Sequence, residues 1–385
     1  MNGAFVFCAG VLLGLLSGLL PGLHSNTVIS ALSTLPLDSE TLALLIIALY
    51  PASLIVSFVP SIFFGIPETG TVVAVLPGQR MVLEGEGLAA LKTVLFSCIV
   101  TALLSSGLFF FSLDIFPAAY ETIRPYMRYI LLAISLVLLA RSRTPLLAAF
   151  IFLLSGLLGY YSLNSGMADP FLPLFSGMFA VAAIANYGKS RIPEQHETRL
   201  DTGFLKFTLI GVLLGMAADF IPGVGSPSQV ATFATIFMSM DTLGYLAAIS
   251  AISVSQSIFS LATAASIGKA RVGATAWLAQ YMDIGQNLTL ALTLFILSMA
   301  IAVAMVYVMR KHIAKLASLD FSKMNAVLLA YIVAMTLVID GVMGIVVLAV
   351  AAALGWLTVK IGVERTNLMG AIIVPTLLLL FRIFI

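Results

Sequence analysis

A chain of 385 residues that is 61% apolar, only 9% charged and of formal net charge +2 cannot cover itself with a water-facing surface. Its mean hydropathy of +1.12 places it in a bilayer, and no basic stretch suits a nucleic-acid partner. Apolar runs of about 20 residues, enough to cross a hydrocarbon core of roughly 30 Å, fall near 42–64, 89–112, 126–140, 145–161, 171–187, 242–267, 285–308, 325–340, 343–359 and 366–384. The pattern predicts an all-α polytopic membrane protein with ten crossings.

The first segment, GVLLGLLSGLLPGLHSNT at 10–27, begins as a membrane helix and then breaks. Pro21 removes a backbone donor and Gly22 permits a turn. His24, Ser25, Asn26 and Thr27 follow, and Val28 to Leu35 is too short an apolar run to cross alone. A re-entrant hairpin is expected. Non-helical backbone at membrane depth survives only where protein covers it or it lines a wet cavity. With no basic residue before it, this segment is read as part of the mature chain rather than as a signal peptide.

A second interrupted hairpin is expected in GIPETGTVVAVLPGQRMVLEGEGLAALK, 65–92, where Glu68 and Thr69 are the polar candidates. The polar stretch KSRIPEQHETRLDTGFLK, 189–206, reads as a solvated linker. Beyond it, GVLLGMAADFIPGVGS starting at Gly211 matches GVLLGLLSGLLPGLHS starting at Gly10 at eight of sixteen positions, 201 residues apart. An internal repeat explains this. The chain divides into a first membrane repeat, 1–188, the linker, and a second membrane repeat, 207–385.

In the second repeat Pro222 and Gly223 break the helix, and Gly225, Ser226, Ser228 and Gln229 form the polar tip. Asp219 lies just before the break, where a carboxylate in an apolar helix costs at least ~2.5–3.5 kcal/mol. A coupling role is expected for it, with sodium coordination and proton carriage both open; Asp340 and Glu68 are weaker candidates of the same kind. The counterpart of 65–92 begins at Ser266 and carries Lys269 and Arg271, cations suited to an anionic ligand or to a membrane interface. The polar tips serve equally as helix caps.

One re-entrant hairpin and five crossings per half make an odd number, so the halves should be inverted relative to each other. With the amino terminus outside, fourteen basic residues, Lys92, Arg310 and Lys311 among them, fall in the cytoplasm. Only Arg124, Arg128, Lys269, Arg271 and Arg382 fall outside, as the positive-inside rule requires. A multi-pass protein of the cell membrane with a cytoplasmic central linker is expected. His24, His196 and His312 have no metal-ligand spacing, and Cys8 and Cys98 read as small hydrophobes. No nucleophile–base pair is evident, so neither an enzyme nor a cofactor beyond a coupling ion is expected.

These hairpins resemble those of the tripartite tricarboxylate transporter large membrane subunit (TctA) family, especially its shorter archaeal-type relatives. The family's first motif reads approximately PGLGP and its second GIPGTPSSAATVLDGYPM. Pro21, Gly22 and Leu23 match the first; Gly65, Ile66, Pro67, Gly78 and Met81 match the second; Pro222, Gly223 and Gly225 match the repeated motif. His24 and Ser25 stand where the family has Gly-Pro, and Glu68 where it has a small residue. The resemblance implies a secondary-active permease for an organic anion such as a di- or tricarboxylate. It also implies a small membrane subunit and an extracytoplasmic binding protein as partners, and leaves homo-oligomerisation open. More distantly the pattern is similar to polyprenyl-phosphate transporters, so a lipid phosphate is the alternative substrate.

Overall fold

The structure, a computed structural model, describes residues 2–20, 25–65, 71, 74–182, 184, 193–197, 202–220, 227, 230–231, 240–270, 272–317 and 321–383. Every regular element among them is helical. In the first half these are α1 (Gly3–Leu19), α2 (Ser25–Ser33), α3 (Ser39–Val56), α4 (Val75–Leu83), α5 (Gly87–Ile123), α6 (Met127–Arg141), α7 (Pro145–Leu163) and α8 (Phe171–Phe175). The second half holds α9 (Leu205–Phe220), α10 (Thr242–Ile267), α11 (Gly273–Tyr281), α12 (Leu288–Ala317), α13 (Phe321–Lys360) and α14 (Gly370–Phe381). Wider π-helical turns continue α3 at Pro60–Phe64 and α8 at Ser176–Val181.

Among the described residues, seven helical runs are long and apolar enough to cross a membrane: Ser39–Phe64, Gly87–Ala140, Pro145–Leu163, Thr202–Asp219, Thr242–Ile267, Leu288–Leu316 and Leu329–Lys360. The gap from the ten expected crossings lies in how runs join and in short helices such as Arg365–Phe381. Within Leu329–Lys360, Gly341 adopts φ 64°, ψ −155°. A Cβ on Gly344 would then meet Thr336 Cγ2 at 2.9 Å, although a straight helix separates those positions by about 12 Å. The chain therefore reverses at Gly341, between the two apolar runs expected there. Helix α5, by contrast, continues past the expected end near 112. Nothing from Ser112 to Ile123 except Pro117 opposes a helix, and Phe116 and Tyr120 are buried on its inner face.

The two halves interlock. Helix α5 lies along α10, α12 along α3, α7 along α14, and the Ser176–Val181 turn against α13. At the centre, the apolar window of α10 is entirely buried and that of α3 is 89% buried.

Glycines set the closest approaches. On α1, a Cβ at Gly10 would lie 2.8 Å from Leu45 O and from Ala48 Cβ; on α9, one at Gly211 would lie 2.7 Å from Ala248 O and 2.5 Å from Ala251 Cβ. Gly14 meets Leu49 O and Ala52, and Gly215 meets Ile252 O and Ser255, in the same way. Capping repeats too: Asp38 Oδ1 accepts from Thr41 N at 2.8 Å and Asp241 Oδ1 from Gly244 N at 3.1 Å. The helical runs these aspartates open end at Gly65 (φ 67°) and Gly268 (φ 69°), both left-handed, a conformation glycine adopts without strain.

A pinned segment, 193–197, bridges the halves at one end. Gln195 Oε1 accepts from Gly87 N at 2.8 Å, Gln195 Nε2 donates to Val82 O at 2.9 Å, and His196 N donates to Gly85 O at 3.0 Å. Glu197 then meets Lys92 at 3.0 Å, Arg310 at 2.7 Å and Lys311 at 3.1 Å. The Phe96 and Tyr307 rings lie 6.3 Å apart just inside this cluster, so α5 and α12 run antiparallel. At the opposite end Tyr120 meets Lys269, and Arg128 stacks on Tyr129 and Phe381.

Candidate functional site between four helix ends

Helix α1 stops where the Pro-Gly break demands. Leu20 has extended backbone, φ −90°, ψ 109°, and the chain resumes as α2 at Ser25. Ser25 is buried and Asn26 half-buried. The Asn26 amide lies against Gly273, the first residue of α11; a Cβ there would come within 2.6 Å of Asn26 Nδ2. The starts of α2 and α11, one from each half, thus face each other.

Behind them runs α10. Val272, extended at φ −96°, ψ 134°, precedes α11 without a side-chain cap, and its N–H donates to Ser260 Oγ at 3.0 Å. One turn on, Thr263 Oγ1 donates to Asp219 Oδ2 at 3.0 Å and contacts Ser260 O at 3.1 Å. Asp219, near the end of α9, is fully buried. Serine 260 and threonine 263 therefore link the paired helix starts to a carboxylate deep in the protein. Such a carboxylate needs hydrogen bonds plus a cation or a proton to be tolerated there.

Of the residues singled out from the sequence, Ser25, Asn26 and Asp219 are drawn into this region. Thr27 belongs to α2. Lys269 does not join them: it is exposed, and its ammonium lies 2.9 Å from Tyr120 Oη and 5.1 Å from the ring centre. Asp340 lies beside the Gly341 reversal, where its Oδ1 accepts from Asp169 N at 2.8 Å. Pro21, Gly22, His24, Glu68, Thr69, Pro222, Gly223, Gly225, Ser226, Ser228, Gln229 and Arg271 lie outside the described residues. Among the described residues no cluster of three histidine, cysteine, aspartate or glutamate side chains is arranged to hold a metal ion.

Sequence reasoning missed the polar lining of α10. Ser250, Ser253, Ser257 and Ser260 are all buried, and their spacing of three and four puts them on one helix face. That spacing was the available signal, hidden because small hydroxyl residues barely lower the hydropathy of a membrane span. In the first half, Ser61 Oγ and Thr71 Oγ1 share a buried hydrogen bond of 2.6 Å, and Ser17 bonds Ser53 at 3.0 Å. Gly18 occupies the place in the repeat that Asp219 takes in the second half, so the carboxylate is peculiar to one repeat.

A family profile described as "Tripartite tricarboxylate transporter TctA family" matches residues 4–370. An uncharacterized protein of Methanocaldococcus jannaschii is 28% identical over 402 aligned residues, spanning 97% of this chain and 98% of the relative. No solved structure matches.

Proposed function

Because the chain belongs to the tripartite tricarboxylate transporter TctA family, we propose that it is a secondary-active permease for an organic anion such as a di- or tricarboxylate. The observation that carries this reading is the meeting of Asn26, at the start of α2, with Gly273, at the start of α11. Helix starts present unpaired N–H groups and the positive ends of their dipoles. Two of them converging from opposite halves favour an anion. The substrate site is read as these starts together with both hairpin tips, His24 to Thr27 and Gly225 to Gln229, and Glu68 and Thr69.

Residues 1–188 and 207–385 are read as two inverted membrane repeats joined by a cytoplasmic linker. The antiparallel run of α5 against α12, its repeat counterpart, supports inversion. Alternating access then comes from one repeat moving against the other around the shared site. Asp219 supplies the coupling: a buried carboxylate close to an anion site repels the substrate until a cation or proton neutralises it. A small membrane subunit and an extracytoplasmic binding protein are the partners a tripartite system implies.

Thermal stabilisation of the purified protein tests the reading, comparing di- and tricarboxylates with a short-chain polyprenyl phosphate, with and without sodium. Selective stabilisation by a carboxylate, weakened in His24→Ala, is expected. Stabilisation by the lipid phosphate alone would replace the permease with a lipid-carrier translocase.

A further inference from the structure

Asp340 closes the first leg of α13, just before the reversal at Gly341. Helix α8 packs along α13, which brings the residues that precede α8 against that reversal. Asp340 Oδ1 accepts from Asp169 N at 2.8 Å, and the Ala168 N–H bonds the same carboxylate. Two carboxylates are thereby held close enough to repel, Asp169 acting directly on Asp340. Asp169 Oδ1 also accepts from Leu172 N at 3.3 Å, in the first turn of α8. No lysine or arginine forms an ion pair with Asp340 among the described residues. The second oxygen of Asp340, Oδ2, is shielded from solvent and has no hydrogen-bond partner among them.

Neighbouring carboxylates alone mark no ligand, but Thr336 does. It lies one turn before Asp340 on the same helix face. The residue is fully buried, and its Oγ1 has no hydrogen-bond partner among the described residues. A threonine in an apolar helix usually satisfies itself on the carbonyl four residues back. Thr358, on the second leg of α13, does so on Leu354 O at 2.7 Å, and Thr376 does so on Ile372 O at 2.8 Å. Thr336 departs from that habit beside a carboxylate oxygen in the same condition. Both face the second leg, since a Cβ on Gly344 would lie 2.9 Å from Thr336 Cγ2 and 2.5 Å from Asp340 Cβ. A helix that stops also leaves the carbonyls of its last turn short of donors and puts the negative end of its dipole there. A water molecule could join the hydroxyl to Oδ2, yet it would leave the two carboxylates repelling each other. A hard cation answers both needs, and oxygen ligands without histidine or cysteine suit calcium rather than a transition metal.

We propose that the α13 reversal binds one calcium-type divalent cation through Asp340 Oδ2, Thr336 Oγ1 and the Asp169 carboxylate. Two negative charges match its two positive ones, and backbone carbonyls and water complete its shell. The ion ties the reversal in the second half to the start of α8 in the first. It is separate from Asp219 and from the substrate, so the site stands or falls independently of the permease reading.

Thermal unfolding of the purified full-length protein tests it, first stripped with a calcium chelator and then titrated with calcium chloride or, at matched ionic strength, sodium chloride. Calcium is expected to raise the melting temperature by several degrees, half-maximally at about 0.1–1 mM, the range of extracellular calcium modules. Thr336→Val keeps the shape and removes the hydroxyl, so it should raise that concentration several-fold. Thr358→Val, whose hydroxyl is satisfied within its own helix, should leave it unchanged. Asp340→Asn keeps an acceptor for Asp169 N and removes the repulsion; in chelator it should melt no lower than wild type, and calcium should add nothing. Should that variant fail to fold, Thr336→Val against Thr358→Val still decides. A calcium shift that is absent in the wild type, or equal in Thr336→Val, would overturn the proposal, as would stabilisation by sodium alone.

Discussion

Thr263 Oγ1 donates to the buried Asp219 Oδ2 at 3.0 Å, joining α10 to the end of α9 at a carboxylate whose own repeat counterpart is Gly18. An asparagine keeps an acceptor for Thr263 and removes the charge. Asp219→Asn is therefore expected to fold, to retain substrate exchange between proteoliposome compartments, and to lose gradient-driven accumulation down to the level of empty liposomes. Wild-type accumulation in this variant would strike Asp219 from the coupling role.

Gly273 tests the paired helix starts. Its Cβ would strike only the terminal amide of Asn26, at 2.6 Å from Nδ2 and 2.9 Å from Oδ1, and a side-chain end can swing away. Gly273→Ala should leave the melting temperature close to that of wild type while weakening carboxylate binding several-fold, measured as the ligand concentration needed for half-maximal thermal stabilisation. Unchanged binding would move the substrate elsewhere.

Gly215 predicts the opposite balance. There a Cβ would lie 2.7 Å from Ile252 O and 2.8 Å from Ser255 Cβ, and backbone held in the most deeply buried helix has no room to yield. Overpacking of this kind costs about 1–3 kcal/mol, so Gly215→Ala should lower thermal stability in detergent clearly more than Gly273→Ala does. Equal melting temperatures for the two variants would contradict the packing described.

Glu197 makes stability depend on pH and salt. Arg310, Lys92 and Lys311 hydrogen-bond its carboxylate and hold it at about 2, against an ordinary 4.5. A carboxyl depressed in the folded state adds stability that is present above its ordinary value and is lost as pH falls through the folded value. Melting temperatures should accordingly decline from about pH 4.5 towards pH 2. Glu197→Gln should flatten that decline and reduce the sensitivity to added salt, since the group is partly exposed and screened. A wild-type profile identical to that of the variant would show that the cluster does not hold the halves together.

Expectation and structure agree where the cause is local. Apolar runs of membrane-spanning length, Pro21 with Gly22 after a glycine-spaced helix, and the span 242–267 between Asp241 and Gly268 each carry their own signal within one stretch of chain. Helix α1 accordingly ends at Leu19, α2 starts at Ser25, and α10 runs Thr242–Ile267. The continuation of α5 to Ile123 was not legible, because what holds Phe116 and Tyr120 in a helix is the packing of Phe259 at 5.8 Å and the contact with Lys269, residues more than a hundred positions away.

By itself the sequence determined the solvent, the helical class, the points where helices must break and the presence of a carboxylate, Asp219, inside an apolar helix, since hydropathy, proline and glycine geometry and the cost of a charge in lipid act residue by residue. Only the tertiary structure decided that Asn26 meets Gly273, that Thr263 holds Asp219 and that Lys269 turns to Tyr120 instead. Those pairings depend on which helix faces come together across the two halves. Burial and hydrogen bonding in the folded protein set that choice, and no stretch of chain carries it alone.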